Sequence, residues 1–208
     1  MRAPFAEGLG ERDMMLTEQV AVPDAALPVQ ALKDHLRLGS GFADDGMQDA
    51  LILGYLRSAM AAIEGRIGKA LIMRRFALEL IGWRDRSAQA LPVAPVAQVV
   101  SVTLMDSAGA AVPLAAARWR LEPDLHRPRL VAVGPMLPHV SPGGRIEVLF
   151  DAGFGGWDTV PADLRQAVLL LAAQYHELRH ESAVAAMPFG VMALIERWRT
   201  VRMLGARA

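Results

Sequence analysis

Hydrophobic positions along the chain run first at a helical period, then alternate, then return to a helical period. Residues 16–22 read as a short extended piece. Pro28 opens a first helix, PVQALKDHLRL, where Val29, Leu32 and Leu36 form an apolar stripe. The loop GFADDG supplies Asp44 and Asp45 as helix caps, with Gln48 three residues after Asp45 in a weak capping box. A second helix is predicted over 46–67. Ile52, Tyr55, Ala59, Ile63 and Ile67 repeat every three or four residues, and Gly68 supplies the stop.

From residue 72 the period becomes two. Phe76, Leu78 and Leu80 alternate with Arg75, Ala77 and Glu79, as in a half-buried strand. The prolines of LPVAPV confine the next strand to 96–105, and DSAG is a turn. Further strands are predicted at 111–114, 119–122, 129–133 and 145–152. This gives five or six strands between about 72 and 152, a small antiparallel sheet or barrel. Pro161 then opens a third helix, predicted to about Ser182, with Leu164, Val168, Leu171, Tyr175 and Leu178 as its buried stripe. MPFG interrupts it. A last amphipathic helix is predicted over 191–203, with Leu194, Trp198 and Val201 on one side.

The pattern defines an α+β protein: a helical frame of about four helices with an inserted small antiparallel β-subdomain. The expected divisions are a flexible tail over 1–15, an N-terminal helical part over 16–71, the β-subdomain over 72–152 and C-terminal helices over 153–208. Composition narrows the class. Hydrophobic residues make up 53% of the 208, so a substantial core is expected. No apolar run approaches a membrane span. The opening MRAPFAEGLGERDMM lacks an apolar core, so no signal peptide is expected. The chain has no cysteine, which removes disulfides and thiolate metal sites and fits a cytoplasmic origin. Lys plus Arg and Asp plus Glu are both 22, whereas a protein that grips nucleic acid usually carries a basic excess. Only the end is basic: Arg197, Arg199, Arg202 and Arg207 with no acid among residues 197–208.

One stretch invites a catalytic reading. His176-Glu177-Leu178-Arg179-His180 matches the H-E-x-x-H zinc-hydrolase pattern, with two histidines one helical turn apart and Glu177 as general base. The extended pattern is incomplete, because position 186 is Ala. Glu196 is the downstream acid that could serve as third ligand, across a helix break. A pattern of three fixed positions arises by accident in roughly one chain in a few hundred of this length, and the favoured reading has both histidines flanking the buried Leu171, Tyr175 and Leu178 stripe, at its rim or at a subunit contact. GFGGW, residues 153–157, lacks the spacing and the Lys-Ser/Thr of a phosphate cradle and reads as a turn. The basic C-terminal helix has three readings: a solvated helix end, a docking element anchored by Leu194 and Trp198, or a nucleic-acid contact.

The order of short motifs adds more. LKDHLRL, then DDGMQDALILGYLRSAMAAIEGRIGKAL with Ile63, Glu64, Gly68, Lys69, Ala70 and Leu71, resembles the opening of phage head–tail connector (adaptor) proteins. LPVAPVAQVVSVTLMDSAG, VLFDAGFG, VPADLRQAVLLLAAQYHELRHE and the closing run over 188–199 are similar to later segments of that family, in the same order, so the resemblance spans about residues 16–203. It implies a non-enzymatic structural protein of a phage or gene transfer agent neck, assembled in the bacterial cytoplasm. It implies no cofactor, metal or membrane. The implied partners are a portal protein, the next neck protein (stopper or tail terminator), a ring of about twelve copies of itself, and DNA that passes without specific binding. By the same resemblance, Leu194, Arg197, Trp198, Arg199, Val201 and Arg202 are expected to dock on the portal, and deleting residues 187–208 is expected to leave the rest folded. On this reading the H-E-x-x-H match is an accident laid over an ordinary helix. A zinc-dependent hydrolase using His176, Glu177 and His180 is the alternative.

Overall fold

The computed structural model describes residues 14–37, 46–178 and 187–199. The expected caps Asp44 and Asp45 lie outside the described residues. The chain divides into two compact units, one holding residues 14–21 and Arg74–Ala152, the other the described residues of Val22–Met73 and 153–199.

The strands of the first unit all pair antiparallel. β1 (Met14–Glu18), β2 (Arg74–Leu80), β8 (Arg145–Ala152), β4 (Val96–Met105) and β5 (Ala111–Pro113) form one sheet in that spatial order. β3 (Ala88–Ala90), β7 (Arg129–Ala132) and β6 (Trp119–Glu122) form a second. The period of two that marks these strands is what buries one face. Along β8, Ile146, Val148, Phe150 and Ala152 are all buried, and their register partners on β2 include Phe76, Leu78 and Leu80. Phe76 and Phe150 stack with ring centroids 5.7 Å apart. On the opposite face Asp151 ties three strands together. It accepts hydrogen bonds from Arg75 Nε at 2.8 Å on β2 and from Gln98 Nε2 at 2.7 Å on β4. The Arg75 guanidinium holds the Asp151 carboxyl below the usual carboxylate range against the opposing effect of burial.

Two sequence expectations change here. The extended piece begins at Met14, inside the expected tail, and ends at Glu18 rather than residue 22. It belongs with the strands and not with the helices that follow it, because its backbone pairs with β2 from Met14↔Leu80 to Glu18↔Phe76. β3 was not expected. It is three residues long, too short for alternation to register, and is held by β7 and by buried Gln89, whose amide oxygen accepts from the Arg84 N–H at 3.0 Å.

The second unit packs α1 (Val29–His35), α2 (Gly46–Ile67), α3 (Ala162–Glu177) and α4 (Phe189–Ile195) around one core. α2 contributes Ile52, Leu56, Ala59, Ile63 and Ile67, while α3 contributes Leu164, Ala167, Val168, Leu171 and Ala172. Leu32 comes from α1, and Val191 and Ile195 from α4. Tyr55, expected in the α2 stripe, is half-buried, and Leu56 takes the central place. The expected continuation of α3 to Ser182 lies outside the described residues.

The run Ile63-Glu64…Gly68-Lys69-Ala70-Leu71 is a chain reversal. Gly68 takes a φ of +67°, and its N–H bonds to the Glu64 carbonyl at 2.8 Å. The Glu64 carboxylate then accepts the Leu71 N–H at 2.7 Å. The reversal brings residues 71–73 against the glycine-rich stretch after β8. Phe154 N–H bonds to the Leu71 carbonyl, and Met73 N–H to the Gly155 carbonyl at 2.8 Å. Gly153 has a φ of +133°, and a Cβ there would lie 2.5 Å from the Met73 Cα. The glycines of DAGFGG thus serve a close backbone crossing.

Candidate docking face of the C-terminal segment

α4 does not run on to residue 203. It ends at Ile195, one tight 3-10 turn carries Glu196–Trp198, and Arg199 turns extended at φ −69°, ψ 138°. The tighter turn has a packing reason. In 3-10 geometry residues three apart line up, so Trp198 falls on the same buried side as Ile195. There the indole meets Phe154 edge to face at 5.6 Å, and its Nε1–H donates to Asp163 Oδ2 at 2.7 Å. Arg197 Nε reaches the same oxygen at 2.7 Å, and its guanidinium lies over the Trp198 ring, 4.8 Å from the centroid.

Asp163 sits in the first turn of α3, where its Oδ1 also accepts the Leu164 N–H at 3.0 Å. Burial pushes its carboxyl up, but the Trp198, Arg197 and Leu164 donors outweigh burial and hold it below the usual carboxylate value. This carboxylate is the clasp that ties the end of the chain to α3. No local sequence signal points to the clasp, because Arg197 and Trp198 lie more than thirty residues away.

The expected docking residues therefore separate. Trp198, 8% exposed, is turned inward. Leu194 is half-buried against the core. Arg197 and Arg199 are exposed, with Arg199 held by Glu196 at 3.0 Å. Val201 and Arg202 lie outside the described residues.

The H-E-x-x-H residues also separate. His176 packs edge to face on Tyr55, ring centroids 5.8 Å apart, at the contact of α2 with α3. Glu177 is exposed at the end of α3, and His180 lies outside the described residues. Glu196 is engaged by Arg199. Among the described residues no group of three or more His, Asp or Glu side chains is arranged to hold a metal ion. No helix among them is long and apolar enough to cross a membrane.

The described polar contacts of the C-terminal segment, around Asp163, tie α4 and its last turn to α3. No family model matches the chain, and no curated protein does either. Solved structures do. The chain is 61% identical to a chain in the neck of an empty gene transfer agent particle computed with C6 symmetry, with a TM-score of 0.85 over 93% of this chain and 100% of that one. Against a chain of the virion of a native gene transfer agent particle the identity is 62% and the TM-score 0.82, with the same coverage. Against one in the neck of a native particle computed with C12 symmetry they are 57% and 0.81, again with the same coverage. The chain belongs to the neck proteins of gene transfer agent particles, the head–tail connector family that its motifs resemble. Its role is that of a structural neck component of a phage-like particle.

Proposed function

We propose that the protein is a non-enzymatic adaptor that forms a ring beneath a portal protein, extends the DNA channel, and joins the head to the next neck protein. The observation that carries this reading is the identity of 61% across 93% of the chain with a neck component. The C6 and C12 symmetries of the similar necks support a cyclic arrangement of about twelve copies, since head-to-tail contacts that close by rotation make rings. A net charge of zero suits a channel wall past which DNA slides, because each phosphate neutralised would tighten binding.

The C-terminal segment is the proposed portal contact. Exposed Arg197 and Arg199 are its described part, beside half-buried Leu194, and Val201 and Arg202 are assigned to it from the sequence alone. Trp198 anchors the last described turn of that segment to α3 through Asp163. Native mass spectrometry of the full-length protein, with and without portal protein, tests the reading. A closed ring, formed alone or on the portal, is expected. A chain that stays monomeric in the presence of portal overturns it.

A further inference from the structure

The helical unit carries a projecting aromatic at one end of α3 and an open hollow at the other. Phe189, the first residue of α4, is 87% exposed. Its neighbours Pro188, Gly190 and Val191 line a recess together with Glu177 and Leu178 at the end of α3. Glu177 is exposed and has no ion-pair partner among the described residues. Among the described residues, this end thus offers an aromatic ring beside an unpaired carboxylate.

The other end has the complement. An open hollow of about 630 Å³ has Pro28, Val29, Leu53 and Trp157 as its apolar wall and Arg165 of α3 at its side. Two of its acids are already paired, Asp24 with Arg57 at 2.6 Å and Asp49 with Lys33, while Asp158 stands exposed on the rim. Arg165 is different. Its Nε is buried and finds no acceptor among the described residues. A buried donor without an acceptor is unfavourable, and an incoming carboxylate relieves it.

From Arg165 to Glu177, α3 rises about 18 Å. The knob and the hollow are thus held at opposite ends of one helix and cannot meet within a chain. Two different complementary faces on one rigid element are what a head-to-tail contact between copies requires. We infer that Phe189 and Glu177 of one copy seat in the hollow beside Arg165 of the next copy. The ring packs on the Pro28, Leu53 and Trp157 wall, and the carboxylate meets the guanidinium. This inference rests on the ring reading above and names the contact that would close it.

The chain has no cysteine, so introduced thiols report without background. Gene transfer agent particles built with the full-length chain carrying Leu53→Cys and Phe189→Cys together are treated with a short bis-maleimide. A ladder of covalent multimers is expected from the double variant and none from either single variant. A double-variant chain that enters necks yet yields no ladder overturns the contact. So does Phe189→Cys linking to itself or to another particle protein. Charge reversal gives a second readout. Arg165→Glu and Glu177→Arg should each lower neck occupancy at least tenfold, and their combination should restore it. Wild-type occupancy for both single reversals also overturns the contact. If the wild-type protein itself forms no ring in particles, it is the ring reading that fails. If the ring forms and neither readout responds, only this contact fails.

Discussion

Trp198 shows how a side chain that looks like a surface anchor is used inside. Its indole donates to Asp163, packs edge to face on Phe154 and is overlaid by Arg197. Trp198→Ala should therefore lower the stability of the helical unit by about 3–5 kcal/mol, measured as a shift in the urea midpoint. A cost below about 1 kcal/mol would mean that the clasp contributes little. Asp163→Asn keeps the shape but loses the charge, and should cost about 1–2 kcal/mol. The same carboxylate sets a pH dependence. Its folded pKa lies below the ordinary 3.8, so its contribution is fully present above that value and is lost as pH falls through the folded pKa. Acid titration of wild type and Asp163→Asn should show their difference in stability shrinking below about pH 4. A constant difference down to pH 2 would assign the loss to packing alone. His176 makes the opposite point. Its ring packs edge to face on Tyr55, so His176→Ala should cost about 0.5–1.5 kcal/mol and leave metal content unchanged. Stoichiometric zinc in the wild-type protein, lost in this variant, would revive the hydrolase alternative.

At the scale of elements, legibility followed length and period. α2 and β8 were readable to the residue, because α2 repeats its apolar positions every three or four residues and β8 alternates without interruption. β3 was invisible because three residues carry no period, and β1 was readable as extended but not as a sheet member, because pairing is not a local property. The end of α4 failed for a related reason. Amphipathic spacing continues past residue 198, but the pull of Trp198 toward Phe154 and Asp163 tightens the turn there. The candidate site was less legible than the fold. Arg197, Trp198 and Arg199 were singled out by type, while the inward role of Trp198 depends on Asp163 and Phe154, both distant in sequence. The glycine-rich stretch after β8 was readable as a turn, though its purpose emerged only with the Met73 backbone packed against it. Gly153→Ala combines a strained positive φ with a backbone clash and should cost about 2–3 kcal/mol. Gly156→Ala, where a Cβ meets nothing within 4 Å, is the control and should be near neutral. Equal melting temperatures for the two variants would remove the crossing as an explanation.

At the scale of the whole molecule, the two truncations that suggest themselves test different things. Removing residues 187–208 takes away Val191, Ile195 and Trp198, all buried in the helical core, so the expectation that the remainder stays folded does not survive the packing. Several large apolar side chains lost together exceed the net stability of an ordinary domain, and that truncation should yield an unfolded or aggregating helical unit. Ending the chain after Arg199 leaves every one of those residues and the Asp163 clasp in place. The shorter truncation should melt within about 2 °C of wild type, since it removes none of the core residues named above, yet bind portal protein at least tenfold more weakly if residues 200–208 carry the contact. Melting and portal binding measured on the same preparation separate the outcomes. A normal melt with undiminished binding would move the portal contact elsewhere on the molecule, and a collapsed melt would show that residues 200–208 belong to the core and not to the docking face.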